Sequence, residues 1–180
     1  SRRLLTALAA DSRPRSAREQ VMASLASPLA LSALPLRVAT FALNGQGPEA
    51  AKVQLLIHAD VGVNYSSARP VSLAYMITDL DGSILESQTA NARLAPVMNG
   101  VPSPLQFTGG ASVPPGEYIL KLAVAEGDLV GSIEHRIHAT LLNVGRINFS
   151  ELMVGGPANA APLLRPTIGH TVSFGNVQGY

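Results

Sequence analysis

Four histidines, twelve carboxylates and a set of serines are the residues of this chain that could do chemistry. His135 and His138 stand three apart in GSIEHRIHATLL, a strictly alternating stretch. Side chains on a strand alternate faces, so these two point to opposite sides and cannot bind one metal from there. His135 falls on the apolar side, between Ile133 and Ile137, as a hydrogen-bonded core histidine would. His58 and His170 belong to other segments, and the four rings do not converge on a zinc site. Asp79-Leu-Asp81-Gly82 has the opening of a calcium loop, but the residues that follow lack the further oxygen ligands and the distal Glu at the required spacing. A hairpin turn accounts for it better. Calcium held between loops at one end of a sandwich would draw on Asp60, Asp79, Asp81 or Asp128. No Gly-x-Ser-x-Gly elbow occurs, and neither TGGAS nor VGGPANAAP continues as a phosphate-binding loop. The acids sit mostly in turns or on outward positions, not as a facing pair. Asn64-Tyr65-Ser66 and Asn148-Phe149-Ser150 have the form of glycosylation sequons. The residues thus designate no catalytic group, no cofactor and no metal ligand, and the expectation is a protein that is not an enzyme.

The composition narrows the setting. The chain has 180 residues, 47% of them hydrophobic and only 14% charged, with a formal net charge of +1. Such a chain carries no global field to gather nucleic acid or anionic lipid. Cysteine is absent, which removes disulfides, thiolate metal sites and thiol nucleophiles. No run of eighteen apolar residues is present to span a bilayer. The opening SRRLLTALAAD has neither an initiator Met nor the layout of a signal peptide, and reads as a piece of a longer protein whose targeting segment would lie upstream.

Residues 1–31 are the helical stretch. Ser16-Ala-Arg-Glu19 has the capping-box form, and Pro14 and Pro28 bracket a helix over about 16–26. Arg2, Arg3, Arg13, Arg15 and Arg18 make this end basic, as the solvated face of a helix would be, not as a nucleic-acid arm.

After Pro35 the period changes from 3.6 to 2. LRVATFAL begins a series of strands. In AKVQLLIHADV, Val53, Leu55, Ile57 and Ala59 share one face; Lys52, Gln54, His58 and Asp60 share the other. VSLAYMITD repeats the pattern with Val71, Leu73, Tyr75 and Ile77 inward, and Asp81-Gly82 turns it into SILESQT. SPLQFTGGASV is the next strand, and PPGEY reverses the chain into YILKLAVAE, with Tyr118, Leu120, Leu122 and Val124 on one side. GSIEHRIHATLL follows, with Ile133, Ile137 and Leu141 inward. RINFSELMVG and TIGHTVSFGNV are shorter strands separated by a GGPANAAPLLRP loop.

Seven to nine short strands without crossover helices imply antiparallel sheets that bury their apolar faces on each other. The expected fold is mainly β: an immunoglobulin/fibronectin-III-like antiparallel sandwich over 32–180, preceded by a helical linker or packing segment over 1–31. Residues 143–180 leave room for more than a single immunoglobulin-like unit. Outward apolar residues such as Leu56, Met76 and Ile119 imply packing against a neighbouring domain or another protein. With no Trp and few aromatics, a sugar-stacking platform is the weaker alternative. Oligomeric state is left open by the sequence.

PLRVATFAL, AYMITDLDG, LQFTGGASVPPGEYILKLAVAEGDLVGSIEHRIHATL and FSELMVGG form an ordered set. From about Ser16 onward it resembles the region downstream of the von Willebrand factor A-like domain in the "VWFA-related" proteins of acidobacteria and neighbouring bacteria. The PPGEY turn, the Gly131-Ser132 pair and the FSELMVG segment carry the resemblance most specifically. It implies an exported, secreted or periplasmic multidomain protein whose A-type domain would lie before Ser1. No Asp-x-Ser-x-Ser string occurs here, so no metal-dependent adhesion site is carried over, and the resemblance supplies no catalytic residues. The expected role is a structural or domain-docking module. The alternative is a ligand-binding or adhesion module, for protein or carbohydrate and assisted by calcium, working through loops at one end.

Overall fold

Ser16 caps a helix. Its hydroxyl accepts the Glu19 amide, and the Glu19 carboxylate accepts the Ser16 amide at 2.8 Å, which closes the capping box. Helix α1 then runs over Ala17–Ala26. The computed structural model describes residues 16–97 and 101–153, and beyond them the backbone of short strand pairs at 155–157, 164–166, 173–174 and 177–178.

Seven long strands follow: β1 (Leu36–Asn44), β2 (Val53–Tyr65), β3 (Arg69–Thr78), β4 (Ile84–Leu94), β5 (Ser103–Val113), β6 (Gly116–Glu126) and β7 (Leu129–Ala139). They form two antiparallel sheets, ordered β1-β2-β5 and β4-β3-β6-β7. The fourth strand pairs with β3 and not with β5, which is the fibronectin-III-like version of the sandwich. The inward residues expected from alternation form one core: Val53, Leu55, Ile57 and Ala59 from β2, Val71, Leu73, Tyr75 and Ile77 from β3, and Tyr118, Leu120, Leu122 and Val124 from β6. Tyr75 ties the sheets together. Its ring meets Phe107 with centroids 6.3 Å apart, and its hydroxyl donates to the Gly110 carbonyl at 2.9 Å. Gly109 makes this possible, since a Cβ there would lie 2.8 Å from the Phe107 ring.

The sandwich is four strands wide on one side and three on the other, and the chain uses its ends to cover what is left. Helix α1 lies on the outer face of the larger sheet. Val21 and Leu25 pack on Ala74, Ala123 and Ala125, a bed of small side chains that lets a helix approach closely. The outward residues Met76 and Ile119 belong to that same face and are half-buried rather than exposed. Leu56 is likewise half-buried, on the smaller sheet opposite Phe41.

After β7 come β8 (Leu142–Val144) and β9 (Ile147–Phe149), a tight hairpin. The strand expected to continue through FSELMVG stops at Phe149. Ser150 and Glu151 turn their bonds toward β1 instead. Farther on, β10 (Gly155–Pro157) pairs with β11 (Leu164–Pro166), inside what reads as a loop, and β12 (Ser173–Phe174) pairs with β13 (Val177–Gln178). His170 lies outside the described residues.

Candidate functional site

The candidate chemistry disperses in three dimensions. His135 is opposite Leu120 on the inward side of β7, and His138 is opposite Glu117 on the outward side. His135 Nε2 meets the Thr40 hydroxyl at 3.2 Å across the seam between β1 and β7. Burial, and then the nearby His138, holds its pKa below the ordinary histidine value. His138 Nδ1 is 3.4 Å from Glu117, which also faces Arg136 at 3.7 Å, an exposed trio of the kind that contributes little.

His58 departs from its sequence position. It does lie on the outward face with Asp60, yet its side chain is 0% exposed. Its strand neighbours are Ala39 and Thr108, and Nε2 is 3.1 Å from the Gln106 amide nitrogen and 3.7 Å from Asp60. Nδ1 is buried with no hydrogen-bond partner. Among the described residues no three His, Asp or Glu side chains are grouped to hold a metal ion.

The Asp79 turn is filled by its own backbone. One Asp79 oxygen accepts the amides of Asp81 at 3.0 Å and Ser83 at 2.8 Å, and Gly82 takes a φ of +89° that suits glycine. The carboxylate that would have opened a calcium loop is spent on the hairpin. At the opposite end, the Tyr65 hydroxyl donates to Glu126, which also faces Arg69 at 3.7 Å. Burial, then the Glu126 bond and charge, pushes the Tyr65 phenol up to about 12. This trio closes the end of β2, β3 and β6, and presents no free nucleophile or base.

The largest groove described, about 570 Å³, lies between the start of α1 and the ends of β3, β4 and β6. Ser72, Asn91 and Arg93 are its polar contributors, with Arg93 its one ionisable side chain. A second groove of about 280 Å³ along α1 has no charged lining, and a small one of about 60 Å³ has Lys121 and Glu134. None of the three brings a histidine and a carboxylate together.

What the structure assembles is apolar surface. In the β8–β9 hairpin, Leu142 is opposite Phe149 and Val144 is opposite Ile147, so all four side chains share one face. They are 68%, 47%, 59% and 59% exposed. The other face carries Asn143 and Asn148, joined side chain to side chain at 2.8 Å. An isolated two-stranded hairpin is marginal in water, and this one is anchored just beyond its second strand. Glu151 donates its amide to the Ala42 carbonyl at 2.8 Å and accepts the Ala42 amide on its carboxylate at 2.7 Å. Ser150 Oγ accepts the Asn44 amide, and the Asn148 carbonyl accepts the Asn44 side chain, both at 2.9 Å. Sequence reasoning missed this surface because it ended one strand in GSIEHRIHATLL and began another at RINFSELMVG, without pairing the residues on either side of Gly145.

No family model and no curated protein matches the chain. Solved structures similar to it include a Bacteroides uniformis β-glucuronidase, 18% identical over 57% of this chain with a TM-score of 0.40. A Parabacteroides merdae β-glucuronidase is 14% identical over 58% of this chain, also with a TM-score of 0.40. The chain spans 13% of the length of each. Among the described residues no helix is long and apolar enough to cross a membrane.

Proposed function

We propose that the chain is a non-catalytic docking module of an exported bacterial multidomain protein, of the "VWFA-related" kind that its sequence resembles. The β8–β9 hairpin carries this reading. It presents four neighbouring apolar side chains on a support fixed to β1 by four hydrogen bonds, and a monomeric domain has no use for such a surface unless something covers it. A neighbouring domain of the same polypeptide is the occupant this reading favours. The test is hydrogen exchange over residues 142–149 in the isolated chain and in the longer polypeptide. Slower exchange at the hairpin in the longer protein is the expected result. Equal exchange in both would overturn the reading.

The alternative, a ligand-binding or adhesion module, draws on the 570 Å³ groove beside Arg93. A thermal-shift screen with calcium, zinc and oligosaccharides separates the two. A ligand at a hundred times its Kd adds roughly 2.7 kcal/mol of stability, a visible rise in Tm. Such a rise, abolished by Arg93→Ala, would establish the alternative.

A further inference from the structure

Two antiparallel sheets have four edges, and an uncovered edge is a row of unpaired amides and carbonyls. Three of the four are capped over part of their length by the chain itself. The β1 edge takes Ser150 and Glu151 at Ala42 and Asn44. The β7 edge takes the strap 31–34, through Leu34 N to Val130 O at 3.1 Å and Ser132 N to Leu31 O at 2.8 Å. The β5 edge takes residues 95–97, through Gln106 N to Ala95 O and Val97 N to Pro104 O. The fourth edge, β4, pairs only with β3 among the described residues. It is eleven residues long and exposed along nearly its whole length, with no proline and no lysine. Its one inward-facing charge is Glu86, which sits opposite Ile77.

We infer that β4 is a self-association edge: it pairs antiparallel with β4 of a second copy about a two-fold axis at Thr89, joining two four-stranded sheets into one. Three observations select a second copy. Thr89 is the midpoint of Ile84–Leu94, so this axis pairs the regular stretch 86–92 evenly on both sides, up to the bulge at Leu85. In that register Ser87 meets Asn91, Gln88 meets Ala90 and Glu86 meets Ala92. The strand is neutral overall, with Glu86 and Arg93 its charges, and no like charges oppose each other. Directly over the axis lies Met22 of α1, its sulfur 3.6 Å from the Thr89 hydroxyl and its side chain 47% exposed. The two helices would bring their Met22 side chains together above the joined strands, adding an apolar contact to the backbone bonds. The interface is a strand edge plus two methionines, which belongs with the small, reversible class.

The test is sedimentation of the whole chain over a wide concentration range, joined to single-cysteine cross-linking. The chain has no cysteine of its own, so each introduced thiol reports alone. Thr89→Cys should form a disulfide-linked dimer under mild oxidation, because directly opposed residues have Cβ atoms about 4.5–5.5 Å apart. Ser87→Cys alone should not, because its own copy is offset by about four residues, or ~13 Å. Mixed with Asn91→Cys it should cross-link. Thr89→Lys should weaken the reversible dimer several-fold. A monomer at every concentration would overturn the inference, as would equal cross-linking of Thr89→Cys and Ser87→Cys. So would a dimer that tolerates Thr89→Lys but is lost on Leu142→Ser with Phe149→Ser, since the hairpin would then be the interface.

Discussion

The Tyr118 hydroxyl donates to the Pro114 carbonyl at 2.8 Å, bending back across the turn that leads into its own strand. This is a tyrosine corner, and it explains the phrase VPPGEY. The prolines hold the turn, Tyr118 starts β6 facing the core, and Gly116 leaves space for the ring, since a Cβ there would sit 3.1 Å from the hydroxyl. Burial first, and the Asp79 charge second, keeps the phenol protonated above its ordinary range, which preserves it as a donor.

Tyr118→Phe removes the bond and leaves the Pro114 carbonyl to the solvent at the rim. The expected loss is about 0.5–1.5 kcal/mol with the core otherwise intact. Urea unfolding should show a lower midpoint at an unchanged slope. An unchanged midpoint would mean that the turn holds without the corner.

The Gly131-Ser132 pair is explained by the strap. A Cβ at Gly131 would lie 2.0 Å from the Leu34 carbonyl, and Ser132 bonds Leu31 through both its backbone and its hydroxyl. Gly131→Ala should therefore lift residues 31–34 off β7, loosening the tether between α1 and the sandwich. The measurement is hydrogen exchange at the Leu34 and Ser132 amides, expected to speed up while the β2 and β6 amides stay protected. Unchanged exchange at both strap amides would show that the strap shifts without detaching.

Much of the sandwich was legible because burial of one face forces period-2 alternation, and the inward positions it marks on β2, β3 and β6 all reach the core. The helix start was legible because Ser16 and Glu19 are chemically suited to each other three residues apart. The rest depends on partners far along the chain. Leu31 and Ser132 are 101 residues apart, and Ala42 and Glu151 are 109 apart, so no local pattern announces either bond. Ala74, Ala123 and Ala125 have no signature as a helix bed, because alanine suits either face. His58 reads as a solvent-facing residue by alternation, and only its neighbours in three dimensions bury it. The hairpin was misread for the converse reason: periodicity marks an apolar face without telling whether anything lies against it.

Glu151→Ala tests how the hairpin is held. The substitution leaves the Ala42 amide without its carboxylate acceptor, and bonds to charged groups are worth about 1.5–3 kcal/mol. Part of that is recovered by water at this edge, so the sandwich should lose about 1 kcal/mol. Residues 142–151 should become the first site cut by a nonspecific protease. Cleavage elsewhere first, with the hairpin intact, would assign the anchoring to Ser150 and Asn148 instead.

Tyr65 gives the pH dependence. Its folded pKa, about 12, lies above the ordinary phenol value of 10.0. The unfolded chain therefore loses this proton at lower pH than the folded one. The Tyr65–Glu126 contribution is fully present below pH 10 and is lost as pH rises from there toward 12. Tyr75 and Tyr118, both raised by burial, act in the same direction. Urea midpoints should accordingly fall between those two pH values. In Tyr65→Phe the midpoint should be lower at neutral pH and the alkaline decline shallower, because one of three protons has been removed from the linkage. A parallel decline in both proteins would show that Tyr65 ionises as freely when folded as when unfolded.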